Sequence, residues 1–151
     1  MEKNQAKRIA LVVEGNAGLT QVILDSLCKD EPAACEVIAK HDGVEALDYL
    51  LCRGDYAGRD PHVMPCVTLV DLVLPRSDGL GLVWEMRAHE QTRRLPVVAF
   101  SSAGEHQKAK AAYDNPQKRK RLSMWVLQPP ASYSNELLLS RSAVRVRSST
   151  L

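Results

Sequence analysis

The sequence lacks any long apolar run. Its longest uninterrupted hydrophobic stretches, such as 9–13 and 97–100, reach about five residues, whereas a membrane-spanning helix needs about 20. The first eight residues are mainly polar, which leaves too little apolar sequence for the core of a secretory signal peptide. We therefore expect a cytoplasmic protein that is not integral to a membrane.

Several chemical signatures are also missing. The four cysteines form no Cys-x-x-Cys pair and have no histidine at zinc-ligand spacing, so we interpret them as small core side chains. No glycine-rich phosphate-binding motif is present, and the four histidines are scattered without a partner nucleophile. These absences argue against a nucleotide-binding fold and predict that the chain is not an enzyme.

Charge is unevenly distributed along the chain. Residues 1–92 carry nine Lys and Arg against fifteen Asp and Glu, and residues 93–151 carry eleven against three, which gives formal charges of −6 and +8. The basic part includes the run 118–121 and the tail residues Arg141, Arg145 and Arg147. Aromatic side chains do not interleave with these charges, so nucleic acid is not an expected partner. A nucleic-acid-binding module is nevertheless one of the hypotheses for this chain, and it would show a steep loss of affinity for nucleic acid with added salt.

Apolar segments with strand character recur along the chain at a nearly constant interval. They start at Ile9, Cys35, Cys66, Pro96 and Met124, which are 26, 31, 30 and 28 residues apart. The intervening segments show helical spacing of apolar residues, and capping-box patterns at Asp42 with Glu45 and at Ser102 with Glu105 mark helix starts. A final helix is expected from Ser134, with Val144 and Val146 in its apolar stripe. Alternating strands and helices predict an α/β fold with a doubly wound, five-strand parallel sheet.

Polar side chains follow four of these strands. Glu14, Asp71, Ser101 and Gln128 come directly after the first, third, fourth and fifth strands. The carboxyl ends of parallel strands share one sheet edge, and right-handed crossovers place the first strand beside the third. Two carboxylates facing one gap favour a divalent cation such as magnesium, although polar residues at strand ends can also be simply solvated.

Three segments together resemble a known family. The stretches 11–16, 67–79 and 96–102 are similar to the receiver domain of bacterial two-component response regulators, in which an apolar strand ends in Asp, a Pro follows four residues later, and Asp-Gly precedes a helix. The resemblance runs from about Lys7 to Pro129. The segments 42–47 and 53–60 are similar to stand-alone receivers that serve phytochrome-type histidine kinases. The resemblance implies a flavodoxin-like fold with sheet order 2-1-3-4-5.

The resemblance also implies roles for individual residues. Asp71 would be the phosphoacceptor, and Glu14, Asp71 and the backbone carbonyl of Val73 would bind magnesium. The residues that contact the phosphoryl group or switch with it would be Ser101, Gln128 and Trp125.

Two departures from the family affect this chemistry. Gly15 replaces the second acid after the first strand, which binds the metal directly, and Gln128 replaces the lysine that pairs with the phosphoryl group. The two changes cancel in formal charge, because one carboxylate and one ammonium are lost together. We therefore expect weak or absent magnesium binding and impaired phosphorylation. The alternative is a competent receiver that accepts phosphate from a histidine kinase onto Asp71.

The resemblance completes the expected organisation and partners. We expect one receiver-like domain over residues 7–146, with a frayed tail at 147–151. The chain would act in phosphorelay signalling by protein contact, with a sensor histidine kinase of the phytochrome type as partner. Because the last helix has a thin apolar stripe, we also expect a homodimer through the fourth helix, the fifth strand and the fifth helix, including Leu137 to Leu139.

Overall fold

The computed structural model describes residues 8–27, 35–100, 117, 125–128 and 145–147. Eight strands and three α-helices lie in these ranges, together with a 3-10 turn at Gly54–Tyr56. Their bounds are β1 Arg8–Val13, α1 Ala17–Leu27, β2 Cys35–Lys40, α2 Gly43–Leu50, β3 Val67–Asp71, β4 Val73–Leu74, β5 Ser77–Asp78, α3 Gly79–Ala88, β6 Val97–Phe100, β7 Trp125–Gln128 and β8 Arg145–Arg147.

The main sheet has the order β2-β1-β3-β6-β7-β8. The first five of these strands pair in parallel, so the predicted order 2-1-3-4-5 and the flavodoxin-like fold are confirmed. Right-handed crossovers place α1 on one face and both α2 and α3 on the other. The core between the sheet and helices α2 and α3 includes five fully buried residues: Leu11, Leu50, Val70, Val83 and Met86.

The end of the chain differs from the prediction. β8 pairs antiparallel with β7, with Val146 opposite Leu127, so Val146 lies in a strand and not in the stripe of a final helix. Its Arg-Val-Arg sequence alternates with the period of a strand, and the outer side of β7 offers unpaired backbone groups. β8 extends to Arg147, one residue into the segment that we expected to be frayed. The predicted helices at Ser102–Glu105 and from Ser134 lie outside the described residues.

The helix caps follow the sequence signals where the structure describes them. Asp42 caps α2 by accepting a hydrogen bond from the Glu45 amide at 2.8 Å, and Glu45 in turn accepts from the His41 amide at 3.2 Å. Asp78 caps α3 by accepting from the Gly81 amide. The interpretation as core side chains was wrong for the three described cysteines, since Cys35 and Cys52 are half-buried and Cys66 is exposed; Cys28 lies outside the described residues. In the described part of the chain, no helix has the length and apolarity that crossing a membrane requires.

The loop between α2 and β3 is held by an arginine. The guanidinium carbon of Arg59 lies 3.6 Å from the centre of the Tyr49 ring, and the same group donates to the Val63 carbonyl at 2.8 Å. Lys40 at the end of β2 donates to the Tyr56 hydroxyl at 2.7 Å, and that hydroxyl donates to Glu45 at 2.8 Å. These contacts fix the segment 53–60 to α2 and β2.

Candidate functional site

Glu14 and Asp71 lie at the carboxyl edge of the sheet, at the ends of two neighbouring strands. Val13 of β1 is the register partner of Val70 in β3, so the residues that follow them are neighbours. Both side chains are almost completely buried, with 3% of Glu14 and 4% of Asp71 exposed. Burying ionised carboxylates is costly unless charge or hydrogen bonds compensate. Two adjacent buried carboxylates therefore form the natural candidate for the functional site.

The hydrogen bonds of the two carboxylates leave one oxygen unused. Glu14 Oε1 accepts from the Asn16 amide at 2.8 Å, whereas Glu14 Oε2 is buried and has no hydrogen-bond partner. Asp71 Oδ1 accepts from the Val73 amide at 2.9 Å. A buried carboxylate oxygen without a partner is what a bound cation would satisfy, so Glu14 fits the role of a metal ligand.

The position after Glu14 does not fit a metal site. Gly15 offers no side-chain oxygen, and the ring of Pro75 lies against it: a Cβ added at Gly15 would be 2.4 Å from Pro75 Cδ. Hard cations select oxygen ligands, and a proline ring offers none. The described residues therefore supply an incomplete ligand set. They contain no cluster of three or more His, Cys, Asp or Glu side chains that could hold a metal ion.

The loop that carries Pro75 is fastened to the start of α2. The Arg76 guanidinium donates to Asp42 Oδ2 and forms an ion pair with it. Ser77 Oγ accepts from the Gly43 amide at 3.2 Å. Arg76 has φ 60°, a left-handed conformation that a non-glycine residue adopts only when its surroundings enforce it. The short hairpin of β4 and β5 thus closes over the carboxylate edge.

Gly79 explains the Asp-Gly signal at the start of α3. A Cβ at this position would lie 2.1 Å from the Asp71 carbonyl oxygen and 2.8 Å from Leu72 Cα, and both of these atoms belong to the backbone. The Gly79 amide donates to the Leu72 carbonyl at 3.1 Å. α3 therefore begins in direct contact with the backbone that carries Asp71, and only glycine allows that approach.

The other predicted side chains of the site belong to β7, which is separated from β3 by β6, or lie outside the described residues. Ser101 lies outside the described residues. Trp125 and Gln128 are the first and last residues of β7, whose pairing partner β6 lies between it and β3. Only the backbone placement of these two is described. Sequence reasoning did not find Pro75 or Arg76 as contacts of the site, because no local pattern shows which segments they touch.

Asp42 links this loop to the fold in a pH-dependent way. The hydrogen bond from the Glu45 amide, together with Arg76, lowers the pKa of Asp42 below its ordinary value of 3.8. A depressed folded-state pKa stabilises the protein above pH 3.8, and this contribution is lost as the pH falls through the folded-state pKa.

We expect Asp42→Ala to lower the free energy of unfolding at pH 7 by about 1 to 2 kcal/mol, since it removes the cap and the ion pair. The difference from wild type should shrink below about pH 4. Urea denaturation across this pH range measures the difference in the free energy of unfolding. Asp25→Ala, at an exposed position of α1, is the control. An Asp42→Ala loss that stays constant down to pH 2 would contradict the assignment.

The fold and the carboxylate edge define a receiver-type α/β domain, and comparisons with known proteins agree. The response regulator Rcp1 from Synechocystis sp. is 30% identical over 115 residues, which cover 75% of this chain and 74% of the relative. The chain therefore belongs to the response regulator family. No family model matches the chain.

Solved structures extend the comparison. The phosphorylated cyanobacterial phytochrome response regulator RcpA superposes with a TM-score of 0.68 at 26% identity, covering 89% of this chain and 87% of that one. The bacteriophytochrome response regulator AtBRR is 38% identical, with a TM-score of 0.62 over 72% of this chain and 76% of its own. The Mn²⁺-bound form of Rcp1 matches with a TM-score of 0.60 at 26% identity, over 71% of this chain and 74% of that one.

Proposed function

We propose that this chain is a phosphorelay receiver with weakened magnesium binding and phosphorylation, which signals through contacts with partner proteins. The observation that carries the proposal is Gly15, which follows Glu14 at the carboxylate edge where the family places a second acid. Of the family's two acids after the first strand, only the first, Glu14, remains in this chain. Affinity for hard cations rises with the number of charged ligands, so the loss of one acid weakens the site.

The pocket's charge supports the same proposal. The family's three carboxylates and one ammonium give a formal charge of −2, and Glu14, Asp71 and neutral Gln128 also give −2. The empty pocket is therefore no more repulsive than that of a competent receiver. Gln128 can donate a hydrogen bond to a phosphoryl oxygen, but a charge-assisted bond is roughly twice as strong.

Magnesium calorimetry tests the proposal directly. We expect the wild type to bind magnesium with a dissociation constant of about 1 mM or weaker, because most of the ion's ligands would be water. Glu14→Gln should remove the residual binding, since it replaces the carboxylate whose Oε2 is buried without a hydrogen-bond partner. Asp60→Asn, an exposed acid outside the site, should leave the binding unchanged. Micromolar binding by the wild type would contradict weakened magnesium binding.

A competent phosphoacceptor is the second candidate. Glu14 Oε2 is buried without a partner, as a cation ligand would be in the ion's absence. The relatives include a receiver solved in its phosphorylated form and one solved with Mn²⁺. In this alternative, an Asp71 oxygen attacks the phosphorus of a phosphohistidine, the phosphorus–nitrogen bond breaks, and the imidazole leaves.

The partner we propose is a histidine kinase of the phytochrome type. The phytochrome response regulators among the solved relatives support this choice. The chain would receive the signal in the cytoplasm and would not itself be an enzyme.

We also propose a homodimer through the fourth helix, the fifth parallel strand, which is β7, and the fifth helix; both of these predicted helices lie outside the described residues. The +8 charge of residues 93–151 should oppose pairing at low salt, so sedimentation should show more dimer at moderate ionic strength. Leu138→Asp, which lies outside the described residues, should abolish the dimer, whereas Val63→Asp, an exposed apolar residue of the loop before β3, should not. A strict monomer at tens of micromolar under both conditions would rule the dimer out.

A further inference from the structure

We propose that Arg145 supplies positive charge to a phosphoryl group on Asp71: the outermost strand of the main sheet, β8, places this arginine beside Gln128 at the carboxyl edge. The inference deepens the proposed function and rests on Asp71 as the phosphoacceptor. The juxtaposition that carries it is a register pair, because Arg145 lies opposite Gln128 where β8 pairs with β7.

The direction of β8 decides where its two arginines lie. The five parallel strands all end at the carboxyl edge, whereas β8 runs antiparallel to β7 and therefore starts there. Arg145 is level with Gln128, the last residue of β7, and Arg147 is level with Val126, two residues further into the sheet. Successive residues of a strand are about 3.3 Å apart, so the two arginines differ in depth by about 7 Å. Of the two, only Arg145 lies at the edge.

The register also relates this edge position to Asp71. Through the pairings of β3 with β6 and of β6 with β7, Asp71 is level with Leu127 and lies one row before Gln128 and Arg145. Directly opposite residues of antiparallel strands share one face of the sheet, so Arg145 is on the face of Gln128. β8 is one strand spacing, about 5 Å, further from Asp71 than β7. A charge at Arg145 therefore replaces a charge at position 128 only in part.

A phosphorylated edge would need positive charge. A phosphoryl group brings about two negative charges at neutral pH, and Glu14, which is 3% exposed, already buries a carboxylate at this edge. Two other cations near the edge, Lys40 at the end of β2 and Arg76 in the hairpin, each form an ion pair with an acidic side chain. A guanidinium can donate two parallel hydrogen bonds to phosphoryl oxygens, so an arginine suits this position.

Two arginine variants, treated with acetyl phosphate and magnesium and followed by intact mass, test the proposal. We expect Arg145→Gln to lower the initial rate of Asp71 modification about threefold to tenfold, because the edge loses a charge and keeps a hydrogen-bond donor. Arg147→Gln is the matched control, since it makes the same change on the same strand away from the edge, and it should alter the rate less than about twofold. Equal rates for the two variants would overturn the proposal. The comparison is made in the wild type and in Gly15→Asp, where the added acid should raise the signal.

A relocated charge separates an electrostatic role of Arg145 from a structural one. Gln128→Lys should restore the rate of Arg145→Gln, whereas a loss caused by loosening β8 would not be restored by a lysine on β7, and that result would overturn the proposal. Arg145→Lys, which keeps the charge, should retain at least about half of the rate.

The outcomes for Arg145 and for the proposed function are distinguishable. Near-complete modification of the wild type within minutes would overturn weakened phosphorylation, and the comparison of Arg145→Gln with Arg147→Gln would still decide the role of Arg145. No phosphate uptake by the wild type or by Gly15→Asp would overturn the role of Arg145 and would agree with the proposed function.

Discussion

Acetyl phosphate with magnesium is expected to modify less than about a tenth of Asp71 in the wild type. In the reaction an Asp71 oxygen attacks phosphorus, the bond to the acetyl oxygen breaks and acetate leaves. Catalysis of this transfer is mainly positioning and charge neutralisation of the phosphoryl oxygens. Gly15 removes one carboxylate ligand of the cation, and Gln128 removes the cationic partner of the phosphoryl group. Intact-mass measurement of the added phosphate gives the modified fraction.

A restored variant supplies the positive arm of this experiment. Gly15→Asp and Gln128→Lys together should raise the modification rate by at least about tenfold, and by more than the separate changes predict, because both restore charges that act on the same phosphoryl group. Near-complete modification of the wild type within minutes, abolished in Asp71→Asn, would establish the competent phosphoacceptor instead.

Gly79→Ala is expected to cost about 3 kcal/mol in the free energy of unfolding. The added Cβ would lie 2.1 Å from the Asp71 carbonyl oxygen and 2.8 Å from Leu72 Cα, and backbone atoms at a strand end cannot move aside without shifting the strand. The start of α3 would have to separate from β3, which would also displace Asp71. Urea denaturation measures the loss in free energy.

Gly81→Ala, two residues further along the same helix, is the matched control. Its Cβ would meet first the Asp78 side chain, at 3.3 Å, and alanine gains about 1 kcal/mol in helix propensity. We expect its free energy of unfolding to stay within about 1 kcal/mol of the wild type. Equal losses at Gly79 and Gly81 would show that helix position, and not contact with the Asp71 backbone, sets the effect.

The placement of Asp71 illustrates how far the sequence alone reaches. An apolar strand that ends in Asp places that carboxylate at the carboxyl edge of a parallel sheet, and right-handed crossovers place β1 beside β3. Both inferences depend on local patterns and on general handedness, so they hold without knowledge of any particular contact. The cap at Asp42 is equally local, because its acceptor oxygen and the donated amide are three residues apart.

The end of the chain illustrates where local patterns fail. Val144 and Val146 fit a weak helical stripe, but Val146 pairs in β8 because β7 presents an edge that can accept another strand. The deciding quantity is the availability of that edge, which depends on the assembled sheet. Helix propensity over so short a segment is too small to compete with tertiary pairing.

The resemblance to the receiver family implied the loss of an acid at Gly15. The sequence by itself determined the α/β order, the parallel sheet and the two carboxylates at its edge. Periodicity, capping residues and strand ends encode these features locally. Only the tertiary structure decided that the Pro75 ring lies against Gly15, that Arg76 pairs with Asp42, and that β8 adds to the sheet. The physical reason is that each of these contacts joins segments far apart in the chain, whose approach depends on the path of the intervening backbone and on packing in the assembled fold.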